Sequence, residues 1–436
     1  MRRTLRHCLN SCLAAGVALA TCAFSTSALA EPGEHIQLGT ATELAPDIDL
    51  GFQYRSNINQ NSGANRRSGL ALTVAPGARL VYDTPDTLVT FTGDYRLIKY
   101  FTNQLSNADQ FNDFDIQFNG EFLRTAPVGF YLAERPALVN NNADDLGATP
   151  FHTRFRNELR GGMVFRPGPI LEVKVGGAFE YDNIQVPPGS TGVGDVRAFN
   201  SRVGGGADLS AQYLFLPRTA AVIDGDYRYY DWQRNFISGP NNPGYALPDG
   251  SQFRLLGGLR GRVTERVVVV GQLGYGASPY NVQSVKDACP NPDDVQCTPG
   301  PTNQFDAKLT GIERLLAVLQ VQYQLDEGRS LTVGYRKDFN DSFFTNYMAY
   351  NKLYGTFSTT LGTRMSANAG LSVRQESYRG EVTRDDVFFD VRVDGTYKAQ
   401  EWASITAALV YQQRISQIQS VEYFDVQPKI FATFTY

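Results

Sequence analysis

Histidine is almost missing from this chain: three residues in 436, at His7, His35 and His152. That leaves little for imidazole general bases or for histidine-ligated metals. No run of 18 or more apolar residues occurs after residue 30, so no membrane-spanning helix is expected. A basic excess is missing too, with 40 Lys+Arg against 44 Asp+Glu and a formal net charge of −4. Such a balance gives no electrostatic footprint for nucleic acid. The length would accommodate two or three domains, yet no linker, low-complexity tract or charge block divides it.

Cysteine is scarce, and its distribution is informative. Arg2, Arg3 and Arg6 precede an apolar run from Leu9 to Phe24, and Ala28-Leu29-Ala30 offers an A-x-A cleavage site before Glu31. Residues 1–30 therefore read as a cleaved secretory signal peptide. Leu19-Ala20-Thr21-Cys22 is lipobox-like, but Thr21 fits that motif poorly and argues against lipidation. Loss of the three arginines takes the basic count from 40 to 37 against 44 acidic residues, a net of −7. Cys8, Cys12 and Cys22 leave with the signal, so only Cys289 and Cys297 remain. One pair in an exported protein reads as a disulfide formed in an oxidising compartment.

What the chain has in quantity is glycine (41), tyrosine (23) and phenylalanine (27), with only 19% charged residues. Apolar residues recur at every second position, the strand period. Ile48, Leu50, Phe52 and Tyr54 alternate with Asp47, Asp49, Gln53 and Arg55. Phe114, Ile116, Phe118 and Phe122 alternate with Asp113, Asp115, Gln117, Asn119 and Glu121. Val387, Phe389, Val391, Val393 and Tyr397 oppose Asp386, Asp390, Arg392 and Asp394. Eighteen such segments are expected, at 46–56, 68–82, 87–101, 110–123, 128–138, 152–165, 170–182, 197–215, 220–232, 252–263, 266–278, 308–325, 330–340, 344–360, 363–378, 384–397, 402–414 and 423–436. The segment at 128–138 has no clear parity.

Short turns such as Asp83-Thr84-Pro85-Asp86 and Leu216-Pro217-Arg218 alternate with mostly longer Asn-, Gly- and Pro-rich connections such as 139–151 and 279–307. An even strand number with both ends on the short-turn side predicts an all-β, 18-stranded antiparallel transmembrane β-barrel, with short periplasmic turns and longer extracellular loops. The expected layout is a short periplasmic segment over 31–45 and an outer-membrane barrel over 46–436. Charge placement supports it. About 37 charged residues fall on the polar parity and about three on the apolar one (Lys99, Arg197, Asp231), where a mid-membrane charge costs roughly 2–4 kcal/mol. Tyr82, Phe101, Phe165, Tyr181, Tyr213, Tyr275, Tyr323, Phe339 and Tyr397 sit near strand ends on the apolar parity, as an interfacial girdle would. Alternation through Phe434 to the last residue, Tyr436, looks like the terminal signature read by the barrel assembly machinery. A last strand that closes on the first accounts for it equally well.

Eighteen strands leave room for an aqueous channel. Inward parity gives the pore-lining set. Its basic members are Arg154, Arg156 and Arg160, Arg254, Arg260 and Arg262, and Arg202, Arg228, Arg314, Arg336 and Arg374. Its acidic members are Asp113 and Asp115, Asp224 and Asp226, and Asp386, Asp390 and Asp394. No ring of one sign is visible. These charges either pair between neighbouring strands and stiffen a wet wall, or form a track whose arginines hold carboxylates or sulfates on a passing polymer. Tyr100, Tyr230, Trp232, Tyr350, Tyr354 and Tyr423 have inward parity and either offer faces for sugars or, since several lie near strand ends, belong to the rim. The Cys289–Cys297 loop is a constriction or, more simply, a clip against proteolysis. No catalytic or metal site is expected, since His152 has no recognisable partner pattern, and no cofactor is expected.

Pro46-Asp47-Ile48-Asp49-Leu50-Gly51-Phe52-Gln53-Tyr54-Arg55-Ser56-Asn57-Ile58-Asn59 resembles the first strand and first loop of the β-barrel porin 2 family. Val74-Ala75-Pro76-Gly77-Ala78-Arg79-Leu80 is similar to its second strand. The resemblance implies a barrel encoded with polysaccharide biosynthesis and export systems, forming the outer-membrane conduit for a secreted exopolysaccharide or capsule. It implies a separate periplasmic polysaccharide export protein as partner, because the chain lacks the helical-repeat scaffold that some such porins carry. The alternatives are a passive diffusion porin for small hydrophilic solutes, a barrel enzyme, and an adhesin.

Overall fold

The computed structural model describes residues 35–58, 60, 66–101, 110–140, 153–185, 200–233, 236–239, 242–246, 249–281, 311–341, 347–379 and 383–436. Residues 1–30, read from the sequence as a signal peptide, and Cys289, Cys297, His152 and Arg197 lie outside them. Eighteen long strands run through the described residues: β1 Thr42–Arg55, β2 Gly69–Asp83, β3 Thr87–Phe101, β4 Gln110–Phe122, β5 Val128–Asn140, β6 Thr153–Gly168, β7 Leu171–Gln185, β8 Asn200–Leu216, β9 Thr219–Trp232, β10 Asp249–Thr264, β11 Val267–Ser278, β12 Ile312–Asp326, β13 Arg329–Asp341, β14 Tyr347–Leu361, β15 Met365–Arg379, β16 Arg384–Gln400, β17 Ala403–Ser416 and β18 Tyr423–Thr435. Each is antiparallel to the strand before it, and β18 returns to β1 from Asp47↔Thr435 to Gln53↔Lys429. The sheet is a closed 18-stranded barrel without free edges, its strands 12 to 17 residues long, enough to cross a bilayer at a tilt.

Solvent and interior are exchanged relative to a water-soluble fold. Leu315 and Leu273 are 69% and 65% exposed on the outer wall, while Glu376, Asp386, Arg384 and Arg414 are buried inside. Backbone polar groups pair around the closed ladder, so this exterior satisfies the one condition lipid sets on a spanning sheet. Tyr82, Phe101, Phe165, Tyr213, Tyr275, Tyr323 and Tyr397 are exposed near strand ends on that face, consistent with an interfacial girdle. Phe339 is not among them. It is fully buried and packs with Ile312, Leu316 and Ala349.

The register settles β5, where the alternation was unreadable. Phe114 faces Leu138, Phe118 faces Glu134 and Phe122 faces Phe130, so Phe130, Leu132, Glu134 and Leu138 share the lipid face and Tyr131, Ala133 and Arg135 turn inward. Glu134 is thus a carboxylate on the outer wall, and it accepts a hydrogen bond from Asn157 Nδ2 at 3.2 Å. Lys99 and Asp231 are joined on the outward parity by Glu313 and Lys337, which lie in register with Ala277 and Ala317.

Close approach at the inner wall explains two of the glycines. A Cβ on Gly176 would sit 2.0 Å from Tyr131 Oη, and one on Gly162 2.9 Å from Tyr131 Cε1. Only glycine on β6 and β7 lets the Tyr131 ring rest against the wall there.

Candidate functional site

Inward parity on β6 to β10 delivers long side chains to one space. A cavity of about 630 Å3 runs along the wall from Glu121 and Lys174, near the short-turn ends of their strands, to Arg202 and Asp341 at the long-loop end. Six of the arginines expected in the pore line it: Arg154, Arg156, Arg160, Arg202, Arg228 and Arg254. Asp224 and Asp226 line it as well.

Each of these arginines is ion-paired. Arg154 donates to Asp182 through Nε and Nη2 at 2.9 and 2.6 Å, the two-pronged geometry that suits a planar guanidinium. Arg156 lies 3.4 Å from Glu180, and Arg160 donates through Nε to Glu158 at 2.6 Å. Arg202 reaches Glu180 at 3.0 Å and stacks over the Tyr230 ring, 4.2 Å from its centroid. Arg228 pairs with Asp208 at 2.5 Å, and Arg254 with Asp338 at 3.2 Å and Asp226 at 3.4 Å. Asp224 accepts hydrogen bonds from Ser210 and Gln272 at 2.7 and 2.6 Å. The lining as a whole holds seven basic residues against seven acidic ones. The charges lining this cavity are therefore paired with one another, some between neighbouring strands (Arg154–Asp182, Arg202–Glu180) and some within one strand (Arg160–Glu158).

The end of β13 closes one side of this cavity. Pairing of β12 with β13 stops at Ala317↔Lys337, whereas β13 stays paired with β14 to Asp341↔Tyr347, and the first residues of β12 pair with β11. Residues 338–341 are thus released from β12 and lie inside the barrel. Phe339 fills the gap against Leu316, Asp338 meets Arg254, and Asp341 meets Arg202 at 3.3 Å. Parity carried to the strand end assigns Phe339 to the girdle, whereas the loss of one neighbour lets the chain turn inward.

A second charged web occupies the long-loop ends of β15 to β18. Glu376 accepts from Tyr378 Oη at 2.8 Å and lies 3.7 Å from Arg414, and Asp386 pairs with Arg384 at 2.9 Å and with Arg414 at 3.7 Å. Arg374 adds a contact to Glu376 at 2.5 Å. Across the closing seam Arg55 pairs with Asp425 at 2.7 Å.

The remaining expected residues are dispersed. Asp113 accepts from Asn140, Asp115 pairs with Arg135, Asp390 accepts from Gln412, Asp394 pairs with Arg392 and Arg336 pairs with Asp338. Arg260, Arg262 and Arg314 face the lumen away from this cavity, with no ion pair among the described residues. Glu158, Glu180, Asp182 and Asp208 carry inward parity and complete the cavity's pairing, and Tyr131 was hidden by the missing alternation of β5. At the short turns, the hydrogen bond from Arg218 to Glu265 at 2.7 Å holds that exposed carboxyl below the usual carboxylate range. Among the described residues no group of three His, Cys, Asp or Glu is placed to hold a metal ion. Phe434 is exposed on the outer wall and stacks on Trp402, ring centroids 6.2 Å apart, while the Tyr436 amide donates to the Pro46 carbonyl at 3.0 Å.

No family model matches the chain, and a search of the curated proteins found no match. Solved structures of outer-membrane proteins are similar in layout. The FrpB iron transporter from Neisseria meningitidis (F3-3 variant) shares 9% identity at a TM-score of 0.48, over 87% of this chain and 62% of that one. The chain therefore spans about 62% of the length of that transporter. OccAB4 of Acinetobacter baumannii shares 8% identity at a TM-score of 0.46, over 93% of this chain and 100% of that one. OpdK of Pseudomonas aeruginosa, solved with vanillate, shares 11% identity at a TM-score of 0.43, over 90% and 99%.

Proposed function

We propose that the chain is an outer-membrane channel that exports a secreted polysaccharide together with a periplasmic export protein. The observation that carries this reading is the continuous polar cavity along β4 to β10, which runs lengthwise from the short-turn side to the long-loop side. A polymer threading the barrel needs such a wall, wet and hydrogen-bonding over its whole height. The likeness of residues 46–59 and 74–80 to the β-barrel porin 2 family supports the same reading and brings with it the separate periplasmic partner. Phe434 and Tyr436 are the residues offered to the barrel assembly machinery, which inserts the chain into the outer-membrane bilayer.

The test is a chromosomal deletion. Loss of surface exopolysaccharide or capsule, with small-solute uptake unchanged and rescue by the gene, is expected; a deletion strain with normal surface polymer overturns the reading. The second reading, a passive diffusion porin, is favoured by the cavity's size. A volume of about 630 Å3 lies within the roughly 300–1,000 Å3 typical of small-molecule sites. That reading expects solute-dependent swelling of liposomes carrying the refolded barrel.

A further inference from the structure

The wall of the cavity is charged but carries no net charge, and this decides what chemistry it presents. Seven basic and seven acidic side chains line it, and each of its six arginines is matched to a carboxylate. An anion entering such a wall meets as many carboxylates as guanidinium groups, so no field of one sign draws it in. What remains on offer is hydrogen bonding of both kinds. A guanidinium has five N–H donors and a carboxylate about four acceptor sites, more than one ion pair consumes. The accessible members are mixed in sign. The Arg156 and Arg160 side chains are 44% and 45% exposed, and Asp226, Glu158 and Asp208 are partly open beside them. Vicinal hydroxyls, each both donor and acceptor, match this alternation; carboxylates and sulfates, which only accept, leave the acidic half of the wall unanswered and pressed against like charge.

Tyr131 supplies the apolar element. Its ring covers Gly162 and Gly176 on the inner wall and also lines the cavity, so it lies between the backbone of the wall and the open space. An aromatic face beside paired donors and acceptors suits the C–H face of a pyranose.

We infer that this cavity is a binding site for an uncharged, hydroxyl-rich saccharide, held between the Arg156–Arg160–Glu158 group and the Tyr131 ring. The inference rests on the channel reading above and names the substrate class of the same site.

The experiment measures block of single-channel current by maltohexaose, cellohexaose and chitohexaose, and by hexagalacturonate, on the full mature barrel refolded in planar bilayers. At least one uncharged hexasaccharide is expected to block at a concentration at least tenfold below hexagalacturonate, with the block nearly independent of salt. The reversal potential in a KCl gradient is expected near zero. Tyr131→Ala is expected to weaken that block tenfold or more and Tyr131→Phe to preserve it. Arg156→Gln, at a half-exposed position whose partner Glu180 keeps Arg202 at 3.0 Å, is expected to weaken it severalfold and serves if Tyr131→Ala does not fold. Preferential, salt-sensitive block by hexagalacturonate overturns the neutral-saccharide assignment, and so does a channel that none of the four sugars blocks. Neither result touches the deletion phenotype, so failure here is distinguishable from failure of the export reading.

Discussion

Asp341, at the end of β13, meets Arg202 on β8 at 3.3 Å, although four strands of the wall lie between them. The contact exists because β13 leaves β12 after Lys337 and turns into the lumen. Arg202 keeps Glu180 at 3.0 Å and Asp182 at 3.7 Å, so removing Asp341 frees the strand end without stranding the cation. Asp341→Asn is expected to raise single-channel conductance and to cost about 1.5–3 kcal/mol, the range for a charge-assisted hydrogen bond. Unchanged conductance in a folded variant would show that residues 338–341 do not narrow the path.

The web around Arg414 responds differently. Arg414 and Glu376 are both fully buried, and deleting one partner of such a group costs about 3–5 kcal/mol because the other is left desolvated. Glu376→Gln is therefore expected to lower the urea midpoint of the refolded barrel strongly. Replacing Glu376 and Arg414 together by apolar residues is expected to recover much of the loss.

On the outer wall the sign reverses. Glu134 faces lipid beside Phe118 and Leu159, and among the described residues its one hydrogen-bond partner is the Asn157 amide. Glu134→Leu is expected to stabilise the barrel in lipid by about 1–2 kcal/mol, below the roughly 2–4 kcal/mol of a mid-membrane Arg or Lys. Equilibrium unfolding from vesicles measures it, and a destabilised variant would mean that the wall at Glu134 is not lipid-exposed.

Glycine under Tyr131 makes a steric prediction. Gly176→Ala brings a methyl 2.0 Å from the phenol oxygen and 2.7 Å from the Gly161 carbonyl. Overpacking of this kind costs about 1–3 kcal/mol. The double variant with Tyr131→Ala is expected to be less destabilised than the sum of the two single changes, read from a double-mutant cycle.

The short-turn pair makes a pH prediction. Arg218 lowers the Glu265 pKa, so any stabilisation is present above the ordinary glutamate pKa and is lost as pH falls through the depressed one. Both groups are exposed, where such pairs contribute little. Glu265→Gln is expected to leave the urea midpoint unchanged at pH 7 and at pH 4.

The sequence by itself determined the strands, their number, their alternating turns and loops, and for most of them which face meets lipid. The reason is that a strand repeats every two residues and lipid excludes charge, so the pattern is local and written twice, in apolar and in charged positions. β5 escaped because Glu134 and Pro136 interrupt its apolar parity while Ala133 and Ala137 blur the polar one; only the register with β4 and β6 fixes its faces. Tertiary structure alone decided which lumen charges meet. Arg154 and Asp182 pair across adjacent strands through the stagger of the barrel, Arg202 and Asp341 through a strand end that leaves its neighbour, and neither the stagger nor the departure is encoded in spacing along the chain. Phe339 shows the same limit: parity assigns it to the membrane, and the loss of one hydrogen-bonded neighbour buries it inside.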